Sequence, residues 1–240
     1  GNSSFSSTIG GYNNIISDAM ASTIIGSADS NISGGTGTLS AIIASSSVVI
    51  DNSLGNANNT AIISSVNAYM SDNGDRSVIM ASSGGIIRDG SAGSVIFGGH
   101  SGAAGPNIIE GISTHCGIIG ADNSLITAGV RQSIILGGTD NTLIGHPSIY
   151  TRGGIIGGSG NTITAGISKS VILGGEGISA TTSNTVYVPN LNIGTVGVGT
   201  SLYNLGIDGD GNVVEGSSGG TFTGNTSGDC IDILWVSTIS

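Results

Sequence analysis

Charge is scarce in this chain. Of its 240 residues 8% are Asp, Glu, Lys or Arg, against about 25% in an average soluble domain. The five cations are Arg76, Arg88, Arg131, Arg152 and Lys169, and the formal net charge is −10. Five scattered cations cannot build the basic patch that neutralises phosphates, which sets nucleic-acid binding aside. Aromatics make up only 4%, so the core cannot lean on ring packing. Proline occurs three times and glycine does not fall at every third position, which excludes a collagen triple helix. No apolar run approaches the ~18–20 residues of a membrane helix. Gly, Ser or Asn breaks each one within a few residues, so no membrane insertion is expected. The two cysteines, Cys116 and Cys230, are far apart and read as small buried hydrophobes rather than a bridge. No targeting segment is visible. The chain starts at Gly1 without Met and stops inside the apolar stretch 231–236, and it reads as a piece of something longer.

What is present is glycine, 44 residues, with Ile, Val, Leu and Ala as nearly all the apolar material and Ser and Thr as a neutral polar complement. Disordered segments are poor in β-branched residues and rich in charge; this chain is the reverse. Ile and Val suit a pleated sheet, and Gly and Asn suit turns. A helical reading fails, because Gly inside helices costs about 1 kcal/mol each and β-branched residues are mediocre helix formers.

One unit recurs along the chain. A small polar residue is followed by two or three apolar residues, then Gly-Gly or a small equivalent. Two or three polar residues follow, often with Asn, and then one or two more apolar ones. The clearest copy is Ile155-Ile156-Gly157-Gly158-Ser159-Gly160-Asn161-Thr162-Ile163. Ile135 to Leu143, Ile118 to Ile126, Ile24 to Ile32 and Thr8 to Ile16 are further copies, and degenerate ones begin at Ile42, Ile62, Val78, Ile96 and Ile172. The starts lie 16 to 22 residues apart. Each unit holds two short strands around a corner, and neither strand can bury its apolar face alone. Stacking units at about 4.8 Å lets every coil pair its backbone with the coils above and below. The expected fold is therefore all-β: a parallel β-solenoid (β-roll or β-helix) of stacked 16–22-residue coils over residues 1–180. Residues 181–240 are expected to form a β-rich trimerising or connecting segment, with an extended strand at 184–193, a hairpin at 205–214, a Gly/Ser/Thr linker at 216–228 and a final strand at 230–236. So narrow a solenoid has little core. Packing as a homotrimer would add buried apolar area and remove lateral edges.

The Ile-Ile-Gly-Gly-x-x-Asn-x-Ile units resemble the β-roll head repeats of trimeric autotransporter adhesins, and similar repeats occur in phage tail fibres. Residues 184–194, followed by Leu205-Gly206-Ile207-Asp208-Gly209-Asp210-Gly211-Asn212-Val213-Val214, look like the region that precedes an intramolecular chaperone in phage tail fibres. The units depart from the adhesin pattern in their variable length, and several copies lack Gly-Gly. The resemblance covers most of residues 7–236. It implies a homotrimer with receptor-facing outer loops, and a place in a virion tail or fibre or, alternatively, on a cell surface.

Candidate sites stand beside plainer readings. Tyr12, Tyr69 and Tyr150 fall at turns or unit edges and are the receptor-binding candidates, since exposed rings can stack on sugars. Asp208, Asp210 and Asn212 alternate as calcium ligands can, but Val213 stands where a calcium loop wants Gly, so a hairpin turn is the reading adopted. Gly157 to Thr162 partly resembles a calcium-roll repeat without its Asp. His100, His115 and His146 lack metal-site spacing and read as exposed loop residues. No metal or cofactor is therefore expected. A polysaccharide depolymerase would need two carboxylates about 5–10 Å apart, with Asp72, Asp75, Asp89, Glu110, Asp122 and Asp140 as material. Hydrolase-elbow, metalloprotease and P-loop motifs are absent, so no enzyme is expected. An ice-binding surface would need a ladder of Thr in one column, which the spacing does not give. The expected partners are further copies of the chain and a host surface receptor, carbohydrate being the candidate chemistry.

Overall fold

The computed structural model describes residues 5–17, 19, 21–34, 39–51, 59–71, 74–99, 105–146 and 148–189, with the backbone of 204–207 and 213–216. Gly1–Leu191 forms one compact unit and Asn192–Ser240 a second. The first is a parallel β-solenoid whose coils each contribute one strand to each of two sheets.

Sheet 1 has 11 strands in sequence order. They are Ser7–Ile9, Thr23–Ile25, Ser40–Ile43, Thr60–Ile63, Val78–Met80, Val95–Phe97, Gly117–Ile119, Ile134–Leu136, Gly153–Ile156, Ser170–Leu173 and Val186–Tyr187. Sheet 2 interleaves 10 strands: Ile15–Ser17, Asn31–Ser33, Val49–Asp51, Tyr69–Ser71, Ile86–Ile87, Ile108–Ile109, Leu125–Thr127, Thr142–Ile144, Thr162–Ile163 and Ser179–Ala180. Isolated parallel bridges continue the pairing around the corner from sheet 1 to sheet 2, as in Asp122↔Thr139↔Ser159↔Glu176.

Strand pairing turns the sequence repeat into columns. Thr8, Ile24, Ile42, Ile62, Ile79, Ile96, Ile118, Ile135, Ile155 and Ile172 stack in register, and successive members are 16 to 22 residues apart. The expected starts coincide with this column at every rung but one. At the fifth rung the inward residue is Ile79, not Val78. Alternation on a strand has period two, so a slip of one residue moves a side chain to the opposite face. Ile24 to Ile172 of this column are buried, and across from them Ile32, Ile50, Met70, Ile87, Ile109, Ile126, Leu143, Ile163 and Ala180 line the inside of sheet 2. Each rung thus buries about two aliphatic side chains, each worth roughly 1.5–3 kcal/mol.

The corners explain the glycines. The residue after each of the first ten sheet 1 strands has left-handed backbone: Gly10, Gly26, Ala44, Ser64, Ala81, Gly98, Gly120, Gly137, Gly157 and Gly174 have φ between +48° and +71°. Glycine adopts that conformation without steric cost, so seven of these ten positions carry it.

Buried polar ladders replace a wide core. The Ser45 amide donates to Ser27 Oγ and the Ser65 amide to Ser45 Oγ, both at 3.2 Å. A second ladder runs beside sheet 1, where the Ser94 amide donates to Ser77 Oγ (3.1 Å) and the Cys116 amide to Ser94 Oγ (3.3 Å). A third uses asparagine. The Asn161 amide donates to Asn141 Oδ1 (3.0 Å), the Ile178 amide to Asn161 Oδ1 (2.9 Å), and Asn141 Nδ2 to the Gly158 carbonyl (3.2 Å). The second glycine of the Gly-Gly pair makes room for this. A Cβ on Gly138 would meet the Gly158 carbonyl oxygen and Asn141 Nδ2 inside contact distance. Gly-Gly-x-x-Asn is therefore one corner design, and Gly/Ala/Ser-Ser, with a serine ladder, is the other.

Of the expected C-terminal elements, Val186–Tyr187 extends sheet 1, and Asn204–Ile207 pairs antiparallel with Val213–Gly216 as a hairpin. The hairpin tip with Asp208, Asp210 and Asn212, the linker 217–228, and the stretch 230–236 with Cys230 lie outside the described residues, as does His100.

Candidate functional site

The outer face of sheet 1 is apolar along the solenoid. Most strands read out–in–out with an apolar residue at every position: Val78-Ile79-Met80, Val95-Ile96-Phe97, Ile134-Ile135-Leu136, Val171-Ile172-Leu173. One outer row is Ile9, Ile25, Ile43, Ile63, Met80, Phe97, Ile119, Leu136, Ile156 and Leu173. Phe97, Leu136, Ile156 and Leu173 are 40–46% exposed. Parallel strands with apolar residues on both sides belong to sheets that are covered on both faces. At the strand spacing of about 4.8 Å the row is roughly 40–50 Å long. A contiguous aliphatic strip of that length marks an interaction surface.

The outer face of sheet 2 is mixed. Arg88 donates from Nε and Nη2 to Glu110 Oε2 at 2.8 and 2.6 Å, and Glu110 holds the guanidinium pKa above its ordinary range. Thr142 and Thr162 stack over two rungs, flanked by Leu125 and Ser179. No threonine column longer than this occurs on the sheet among its described residues.

The three candidate tyrosines occupy different surroundings. Tyr12 is 63% exposed on the corner leading from sheet 1 to sheet 2, over a shallow groove of about 350 Å³ that also touches Ala28, Ser46 and Val66. Tyr69 lies half-buried on the outer face of sheet 2, between Val49 and Ile86. Tyr150 lies in the connector from sheet 2 back to sheet 1, in one of the longer units. Arg131 stacks over its ring at 3.9 Å, and with Ile112 and His146 the pair lines a groove of about 520 Å³. The tyrosines do not form one patch; Arg131 stacks on the Tyr150 ring, and Arg88 lies near Tyr69 on the neighbouring strand.

The histidines divide. His115 is exposed at a left-handed turn residue. His146 departs from the exposed-loop expectation: it is half-buried, and its Nδ1 accepts the Ser148 amide at 3.1 Å. The wall of neighbouring rungs explains this, since the connector folds back against Gly129 and Ala128. Gly157 to Thr162 is a corner whose Asn161 side chain is spent on the ladder. Of the carboxylates, Asp72 lies outside the described residues, Glu110 is held by Arg88, and Asp75 and Asp89 lie in connectors leading to sheet 1. Asp122 and Asp140 occupy consecutive rungs, with Asp140 accepting from Asn123 Nδ2. Among the described residues no group of three His, Cys, Asp or Glu side chains could hold a metal ion.

Cys116 replaces serine in the ladder beside sheet 1. Its thiol donates to the Thr114 carbonyl at 3.3 Å, and burial pushes its pKa up to about 11. The apolar strip on sheet 1 was the feature that sequence reasoning did not single out. Its signal was present: an apolar residue on both sides of most inward isoleucines. No protein-family model matches the chain, and no curated protein matches it.

Proposed function

We propose that this chain is part of a structural attachment fibre, a viral (phage) tail fibre being the reading its repeats favour, in which three copies pack through the outer faces of sheet 1. The observation that carries this is the aliphatic strip: a face composed like a covered sheet yet left open by the rest of the described solenoid. Three such faces turned toward one axis would complete each chain's second core. The mixed face of sheet 2 and the corners would remain outside, where repeated weak contacts to a host receptor gain from avidity. The groove at Tyr150 and Arg131 is the favoured receptor contact, because a ring and a cation together suit a sugar bearing a carboxylate; Tyr12 and Tyr69 are secondary.

Light scattering on the full chain across a dilution series tests the assembly. Three chain masses are expected, and a monomer at micromolar concentration would sink the reading. Adsorption to host cells tests the contact, with Tyr150→Ala expected to reduce it while the mass stays unchanged.

A further inference from the structure

Two features of sheet 1 have no explanation inside a single chain. One is a pair of strand glycines. Val95, Gly117, Ile134, Gly154 and Val171 stack in register on the outer face, so large side chains alternate with none. Neither glycine has a positive φ. A Cβ on Gly117 would lie 3.4 Å from Val95 and 3.8 Å from Ile134, and one on Gly154 would lie 3.6 Å from Ile134, all ordinary contacts. Glycine weakens a strand interior, and where nothing in the chain requires it, it marks close approach from outside. The notch at Gly117, bordered by Val95, His115 and Ile134, has a volume of about 430 Å³.

The other feature is charge. Between residues 111 and 189 the carboxylates are Asp122, Asp140 and Glu176, and the cations are Arg131, Arg152 and Lys169. All three carboxylates lie on the corner that follows sheet 1, and all three cations in the connectors that precede it. From the Gly117–Ile119 rung onward the apolar face is thus flanked by an acidic edge and a basic edge, with opposite charges on the same rung at Ile134–Leu136 (Asp140 and Arg131) and at Ser170–Leu173 (Glu176 and Lys169). Arg152, Lys169 and Glu176 are exposed and make no salt bridge among the described residues.

We infer that the sheet 1 face around residues 95–173 docks further copies of this chain in parallel and in register, with the Ile134 side chains of the copies meeting in one layer and the space left at Gly117 and Gly154 letting the chains approach closely on the rungs either side of it. The charged edges fix the direction. When copies are related by rotation about an axis along the solenoid, the acidic edge of one meets the basic edge of the next. An antiparallel pair places like edges together, and juxtaposed like charges oppose the wrong partner arrangement. The inference rests on the fibre reading above and adds which residues set direction and register.

Full-length Gly117→Val/Gly154→Val chain tests the notch. Valine already occupies this row at 95 and 171, so the solenoid's circular dichroism should persist and a lone chain should not melt lower. Association, read by sedimentation, should weaken about tenfold or more through overpacking at the contact. A second arm uses edge charges. Arg152→Glu/Lys169→Glu alone, or Asp140→Lys/Glu176→Lys alone, should weaken association, more so at low salt, and the chain carrying all four reversals should recover it. Unchanged association in the glycine variant, or no recovery in the fourfold variant, overturns the inference while an oligomeric wild type keeps the fibre reading. A monomeric wild type, with residues 192–240 of the same chain covering the face, would overturn both.

Discussion

A buried hydroxyl in this solenoid stabilises through the rung above it. Ser45 Oγ accepts the Ser65 amide and donates to the Ile43 carbonyl (2.9 Å), whereas Ser82 Oγ, where its ladder ends against Gly99, has no partner. Ser45→Ala leaves a buried amide unsatisfied and should cost about 1–3 kcal/mol. Ser82→Ala removes an orphan hydroxyl and should be neutral or stabilising. Denaturant titration of both variants checks the pair, and equal losses would refute the ladder. Cys116 gives the ladder a pH signature. Its folded pKa is raised from 9.0 to about 11 by burial, so its contribution is intact below pH 9 and is lost as pH rises toward 11, where only the unfolded chain ionises readily. Stability measured from pH 8 to 11 should fall less steeply in Cys116→Ser, which restores the ladder's usual residue. The sequence conveyed these positions only by type. Asn141 and Asn161 read as turn formers, but both are fully buried, because their side-chain amides reproduce the hydrogen bonding of a backbone. Composition cannot distinguish an asparagine that faces water from one that faces the next rung.

At the level of strands and corners, legibility followed the number of constraints on each residue. The inward isoleucines were visible because strand period, burial and, after seven of the ten strands, the following Gly agree. The one misplaced rung, Val78 for Ile79, has three bulky apolar residues in a row, Val78-Ile79-Met80, and no Gly-Gly after them to fix which one faces inward. The inward column also sets magnitude. Ile135 lies between Ile118 and Ile155 and is fully buried. Ile135→Ala should therefore cost about 2–5 kcal/mol, and Ile135→Val about 0.5–1.5. Thermal unfolding would show the larger loss as a lower, still cooperative transition. The surface pair Arg88–Glu110 makes the contrast: Glu110→Gln should change stability by no more than about 1 kcal/mol, since exposed ion pairs contribute little.

For the whole solenoid, stability is a sum over rungs and the interfaces between neighbours. Removing one complete rung should then subtract one increment without disturbing the columns. Residues 118–134 span the interval from Ile118 to the residue before Ile135. Their deletion joins Gly117 to Ile135 and returns isoleucine to the inward position. Deleting 118–135 instead would bring Leu136 inward and turn the following left-handed Gly137 into the strand, so the fused rung and its corner would be out of phase with the rungs they stack on. The shorter deletion should retain the β-sheet circular dichroism spectrum and unfold cooperatively at a modestly lower temperature, whereas the longer by one residue should lose cooperativity. Both deletions also remove Asp122 and Arg131, so their masses in solution bear on assembly separately from their folds. Equal behaviour of the two deletions would mean that stacking tolerates a shift of phase, and the columns of isoleucine, serine and asparagine would not be what holds the rungs together.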